Sequence, residues 1–295
     1  MTMSWSRRRL ASTGTAPLEK PRGQDKDLVR RFYDIGSRYY SEICGEHIHD
    51  GYYLTGRESR EEAQENLVKY LAAGVGIGEG DRVLDVGCGI GGSSVWLARN
   101  LGASTLGITI SPVQLNMARK KAAEQGVDCA FLLMDAEDMH FDAGFDVIWA
   151  VAVCTHLPDQ PGFIDAATRF LNPGGRFVIF DWMLGDGARE PGDECVEKVR
   201  RGMLLSSLHA MPEYLLWFTD LGYRIVSAED ITALTIKTWD DALSLVRRVA
   251  VWKFVAELAI NEAKHAIDFL RSLGAMKEAM ATDRLICGAI IAEKA

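Results

Sequence analysis

No two of the six cysteines of this chain stand at CxxC spacing. That removes the zinc-finger and dithiol-redox classes. Positive charge is also short: 33 Lys and Arg face 41 Asp and Glu, for a formal net charge of −8. Nucleic-acid binding calls for a basic face or stripe, and this balance argues against one. No apolar run approaches the roughly 20 residues that cross a bilayer. The basic run at Arg7, Arg8 and Arg9 has no apolar segment behind it, so it does not read as a targeting leader. Unpaired cysteines then fit a reduced, cytoplasmic setting. The expectations are no nucleic-acid partner, no metal and no stable membrane insertion.

What is present is a long chain, 295 residues with 48% hydrophobic content, enough for one large α/β domain with a cap. Residues 1–24, rich in Ser, Arg, Thr, Gly and Pro, read as a flexible tail. Leu28, Phe32, Ile35, Tyr39 and Ile43 fall on one stripe at helical spacing over 25–45, and a second helix is predicted over 59–73. Residues 25–75 are therefore expected to form an N-terminal helical lid. Its unpartnered stripe suggests a homo-oligomer contact. Strand and helix patterns then alternate through 76–185, with strands at 82–86, 104–108, 129–133, 145–152 and 176–181. Such alternation implies βαβ units and a parallel sheet. Residues 186–220 interrupt the pattern as a helical cap insertion. Residues 221–295 complete the sheet, with a strand at 223–227, helix over 238–273 and a last strand at 284–293.

The densest signal is Asp85-Val86-Gly87-Cys88-Gly89-Ile90-Gly91-Gly92, between a predicted strand and a predicted helix. Gly87, Gly89 and Gly92 match G-x-G-x-x-G, a turn that lets backbone approach a ligand closely. Dinucleotide sites use the same spacing. Two details point elsewhere. Asp85 would repel a pyrophosphate, whereas the ammonium group of a methionine would tolerate it. The carboxylate that would hold a ribose diol after the next strand is replaced by Thr109.

DVGCGIGGSS at 85–94, GITISPVQ at 107–114 and GEHIHDGYY at 45–53 resemble the tocopherol methyltransferase branch of class I S-adenosylmethionine methyltransferases, a branch that also includes sterol, cyclopropane-forming and natural-product enzymes. The resemblance spans roughly 30–183 and is far more specific for cosubstrate than for acceptor. It implies a Rossmann-like α/β fold with a seven-stranded class I sheet, and S-adenosylmethionine (SAM) as cofactor. It implies that Gly87, Gly89 and Gly91 line the methionine end beside Asp85, and that Thr109, Ile110 and Gln114 face the ribose. Asp135 and Ala136 would meet the adenine, Ala152 would border the cosubstrate, and Tyr33 would close over it. A strand-end turn residue and a core aromatic are the plain alternatives for Asp135 and Tyr33.

Methyl transfer needs alignment above all; orientation alone is worth about 7–11 kcal/mol of barrier. A base is needed only for a protonated, weakly acidic acceptor. The branch usually carries a glutamate where this chain has Ala152, and tocopherol enzymes carry an acid where it has Thr155. His156 and Asp181 remain as an acid–base pair, with Tyr52 a third catalytic candidate; a structural histidine and a capping acid are the plain alternatives for the pair. The acceptor pocket is expected from Tyr39, Tyr40, His47, His49, Tyr52 and Tyr53, together with Met203, Leu204, Leu208, Trp217 and Phe218 from the cap. Aromatic faces suit a prenyl chain and can stabilise a carbocation. The resulting expectation is methylation of an apolar small molecule. C-methylation of a prenyl or terpenoid group comes first, because an alkene suits a site poor in carboxylates. N-methylation of an alkaloid-like amine and O-methylation follow. The rivals are a protein methyltransferase and a SAM-binding cyclase that transfers no methyl.

The protein is expected to bind SAM at micromolar Kd, about −8 kcal/mol, and Gly89→Val to abolish binding with the sheet intact. Unchanged calorimetric affinity in a folded Gly89→Val variant would refute the placement of the cosubstrate.

Overall fold

The computed structural model describes residues 26–43, 45–188, 192–246 and 248–295, so the tail expected over 1–24 lies outside it. Helices α1 (Lys26–Ile43) and α2 (Arg60–Val75) precede the sheet. Then β1 (Arg82–Val86), α3 (Gly92–Leu101), β2 (Ser104–Thr109), α4 (Pro112–Gln125), β3 (Cys129–Leu133), β4 (Phe145–Val151), α5 (Gln160–Thr168) and β5 (Leu171–Leu184) follow in turn. The chain continues through α6 (Glu194–Gly202), α7 (Met211–Asp220), β6 (Tyr223–Asp230), α8 (Thr232–Thr235), α9 (Lys237–Leu245), α10 (Val249–Ala281) and β7 (Leu285–Lys294). The strands form one sheet in the order β3-β2-β1-β4-β5-β7-β6. The first five are parallel, and β7 runs antiparallel between β5 and β6.

Local chemistry sets the element ends. Ser59 and Glu62 make a reciprocal capping box at the start of α2, and Gly76 closes it in the left-handed conformation at φ 68°. Ser111 caps α4 by accepting from the Gln114 amide, with Pro112 in the first turn. β1 and β4 are apolar on both faces because helices cover both. Alternate residues divide the core: Val83, Val147, Trp149, Val178 and Phe180 face one layer, and Leu84, Ile148, Ala150, Phe177 and Ile179 the other.

Three sequence expectations need correction. α2 buries Leu67, Leu71 and Val75 directly against the sheet, so it belongs to the sheet packing, and of 25–75 only α1 and the loop after it are left for a lid. The cap expected over 186–220 divides. α6 packs on α10 through Val199, but Tyr214 and Phe218 of α7 pack with Phe163 and Phe177 on the opposite layer. α7 is thus an ordinary sheet helix, because its apolar face matches β5 and α5. The true roof is α10, a 33-residue helix. Val29, Phe32 and Ile35 of α1 pack against its Phe254, Val255 and Leu258, with Phe32 and Phe254 edge to face at 5.6 Å. Burying such side chains contributes about 1.5–3 kcal/mol each. The described part of the α1 stripe is therefore satisfied within the chain, and the reason for invoking a neighbouring subunit falls away.

The α6–α10 crossing is tight at Gly202, where a Cβ would lie 2.4 Å from the Asp268 carbonyl oxygen and from Ser272 Cβ. Gly202→Ala should lower unfolding free energy by about 1–3 kcal/mol, measured by urea denaturation. An unchanged midpoint would show that the two helices can part without cost.

Candidate functional site

The carboxyl ends of β1, β2, β3, β4 and β5 open into one cavity roofed by α1, α9 and α10. Strand order reverses between β1 and β4, the position at which open α/β sheets bind ligands. Gly87 has φ 72°, and a Cβ there would come 2.5 Å from Val153 Cγ2. Gly89 has φ 54° and faces open cavity, with nothing nearer to a Cβ than Ile48 Cδ1 at 3.5 Å. Gly91 does not line the cavity. It caps α3 in the left-handed region, and its missing Cβ leaves room for Ala118, 2.9 Å away, so it serves the packing of α4.

The polar residues expected around a cosubstrate meet in this cavity. Ser94 Oγ donates to Asp85 Oδ2 at 2.6 Å, and burial pushes the Asp85 carboxyl up to about 6. Thr109 Oγ1 donates to Gln114 Oε1 at 2.8 Å, so Gln114 turns its amide nitrogen towards Gly89. Asp135 stands at the rim: Oδ2 takes the Lys26 ammonium at 2.7 Å and Oδ1 accepts from the Glu137 amide at 2.9 Å. Ala136 and Ile110 supply apolar wall. A buried anion, an oriented amide and an apolar slot fit the ammonium, ribose and adenine of SAM. Ala152 also lines the cavity, at φ 56°. A non-glycine residue there costs about 1–3 kcal/mol. It turns the chain off β4 into a single 3₁₀ turn at Cys154–His156.

His156 and Asp181 do not form a pair. His156 Nδ1 lies 3.1 Å from the Leu204 carbonyl oxygen and so carries the proton; Nε2 accepts from the Tyr33 hydroxyl at 2.8 Å. Burial lowers the imidazole's pKa and keeps it neutral. Asp181 instead accepts from Thr155 Oγ1 at 2.9 Å and from the Trp182 amide at 2.8 Å, and burial pushes it up to about 6. Tyr52 lies outside the cavity, stacked on Tyr70 at 4.7 Å. Tyr53 donates to Asp241 and Tyr39 to Glu257, each at 2.7 Å, and neither lines the cavity. The Tyr40 side chain is outside the described residues. Of the expected acceptor residues, His47, His49 and Met203 line it; Leu204, Leu208, Trp217 and Phe218 do not. Trp217 packs on Tyr214 and His209 instead.

The sequence reading passed over Asp50, Trp182 and the α9–α10 wall. Trp182 Nε1 donates to Asp50 Oδ2 at 2.7 Å. Burial pushes the Asp50 carboxyl up to about 6; the Trp182 bond and Arg60 oppose the shift and Asp181 adds to it. The premise of a carboxylate-poor site is thus overturned. An acid between two histidines and two tyrosines was a usable signal for Asp50. Trp239, Leu245, Phe254 and Phe269 gave none, since helical periodicity does not say which neighbour an apolar face meets.

A seven-stranded sheet of this order, with an antiparallel seventh strand and a glycine turn at the reversal, defines a class I methyltransferase. Comparisons with known proteins agree. The sequence profile of the methyltransferase domain family matches residues 84–179. The tocopherol O-methyltransferase of Arabidopsis thaliana is 29% identical over 269 residues, 84% of this chain and 74% of that protein. The 27-O-demethylrifamycin SV methyltransferase of Amycolatopsis mediterranei is 33% identical over 219 residues, 72% of this chain and 80% of that protein. In fold, the geranyl diphosphate C-methyltransferase of Streptomyces coelicolor, solved with S-adenosyl-L-homocysteine, superposes with TM-score 0.70 at 20% identity, over 90% of this chain and 98% of that one. The chain belongs to the SAM-dependent small-molecule methyltransferases. No helix among the described residues is long and apolar enough to cross a membrane.

Asp50, Asp85 and Asp181 hold their protons to about pH 6 when folded, against about 3.9 unfolded. Between those values the unfolded chain has lost protons that the folded chain keeps, so stability falls as pH rises from about 4 to about 6. Each carboxyl contributes at most about 3 kcal/mol to that fall. Asp50→Asn keeps an oxygen for Trp182 and should flatten part of the slope and raise Tm at pH 7.5. A lower Tm in Asp50→Asn at that pH would contradict the charge assignment.

Proposed function

We propose that this enzyme transfers the methyl group of SAM to a carbon of an apolar acceptor of prenyl or terpenoid type. The observation that carries the reading is the pair of buried carboxylates, Asp50 and Asp181, set in a cavity whose far wall is Trp239, Leu245, Val251, Phe254 and Phe269. SAM supplies an electrophilic methyl on a sulfonium. An alkene attacks it without prior deprotonation; the sulfur–methyl bond breaks, a carbon–carbon bond forms and the adjacent carbon becomes cationic. The carboxylates and the Trp182 face are suited to stabilise that cation, and a carboxylate takes the proton that is lost. The reaction is assigned to the cytoplasm, where the five described cysteines, none of them in a disulfide, remain reduced.

O-methylation is the second reading, favoured by the 2.8 Å bond from the Tyr33 hydroxyl to His156 Nε2. There Tyr33 would take the proton of an acceptor hydroxyl as His156 takes that of Tyr33.

Apolar acceptors bearing both an alkene and a hydroxyl, incubated with trideuteromethyl SAM, separate the two by mass spectrometry and NMR. C-methylation predicts a new C–CD3 group, a loss of about 100-fold or more in Asp181→Asn, and only a modest loss in His156→Ala. A deuterated methyl ether, with His156→Ala reduced about 100-fold, would put the hydroxyl reading first.

A further inference from the structure

The loop after α1 crosses the glycine turn and brings two buried histidines against the start of α3. A Cβ on Gly92 would lie 2.7 Å from His47 Nδ1. Gln64 Nε2 donates to the carbonyl oxygens of both His47 and His49 at 2.9 Å and so holds the loop in place. Both rings border the cavity that also holds Asp85 and Gly89.

The hydrogen bonds settle where the ring protons are. The Asp50 carbonyl can only accept, so His49 Nδ1, 2.8 Å away, carries a proton. Burial lowers the His49 pKa to about 4, so the ring is neutral and its Nε2 is bare. That nitrogen lies 3.2 Å from His47 Nδ1, which must therefore be the donor. Burial, with His49 and Lys121 nearby, keeps His47 neutral as well. One proton is placed on Nδ1, so His47 Nε2 is left as a lone-pair acceptor. Among the described residues no donor reaches it, although His47 is only 5% exposed. The ring is buried but borders the cavity, so this acceptor, without a donor from the described residues, is open to a donor from a ligand bound there.

We infer that His47 Nε2 accepts a hydrogen bond from the α-ammonium group at the methionine end of SAM, with Asp85 as the nearby countercharge. The inference rests on the cosubstrate occupying the glycine crevice. The His49–Asp50 backbone contact acts at one remove: it fixes the tautomer of His49, which fixes that of His47. The carboxylate of the same amino acid group, repelled by the bare nitrogen, faces away.

Calorimetry with S-adenosylhomocysteine and with its deaminated analogue, which keeps the carboxylate, tests this. His47→Phe should weaken S-adenosylhomocysteine about tenfold and leave the analogue unchanged, and His47→Gln, whose side-chain oxygen can accept, should recover part of the loss. Long-range 1H–15N spectra of the wild-type protein give a reading that needs no variant. Both rings should be Nδ1-protonated, and the His47 Nε2 resonance should move with S-adenosylhomocysteine but not with the analogue. Equal effects of His47→Phe on the two ligands, or an unmoved resonance, would overturn the assignment. If Gly89→Val abolishes binding of both ligands, that failure belongs to His47 alone; if Gly89→Val binds normally, the crevice placement itself has failed.

Discussion

The structure depends on one topological constraint, the reversal of strand order between β1 and β4. Crossovers from neighbouring parallel strands leave the sheet on opposite sides at that point, and no helix fills the gap between them. The gap is a crevice at the carboxyl edge. The chain must keep its backbone thin there, which it does at Gly87 and Gly89, and must turn sharply away, which it does at Ala152. Glycine relieves the first demand. At Ala152 a side chain is retained in a left-handed conformation at the cavity wall, with its amide donating to the Phe180 carbonyl at 2.7 Å. That contact ties the turn to β5.

Three buried carboxylates sit in a cavity with large apolar walls, and each has its own tether. Asp85 is held by Ser94, Asp181 by Thr155 and its own neighbouring amide, and Asp50 by Trp182. The tethers orient the oxygens without neutralising them. Burial outweighs these bonds and raises all three pKa values. The folded protein therefore carries destabilising charge at its working end, a cost that packing elsewhere must offset. The roof supplies that packing: α10 crosses α1, α6 and α9 and ends beneath β7, joining lid, cap and sheet through one continuous helix.

Much of the fold was legible along the chain because its signals are local. The glycine turn, the Ser111-Pro112 start of α4 and the capping box at Ser59 depend on residues within a few positions of one another. The strands read as short continuous apolar runs, which is again a local signal. The cosubstrate crevice was legible for the same reason: its signature lies within ten residues, and resemblance to a known branch sharpened it. Errors gathered where the answer lay in long-range pairing. α2 and α7 read as lid and cap because an amphipathic helix does not state which surface its apolar face will meet.

The sequence by itself determined the sheet and its glycine turn, which follow from short-range pattern and backbone stereochemistry, and its resemblance to a known branch implied the class of cosubstrate. Only the tertiary structure decided which side chains line the rest of the cavity. Asp50 reaches Trp182 across 132 positions, and Tyr33 reaches His156 across 123. The proton placement on His47 is likewise read from a carbonyl, two rings and their separations. Directional bonds between distant residues, and the burial that shifts their charge, exist only once the chain has closed on itself.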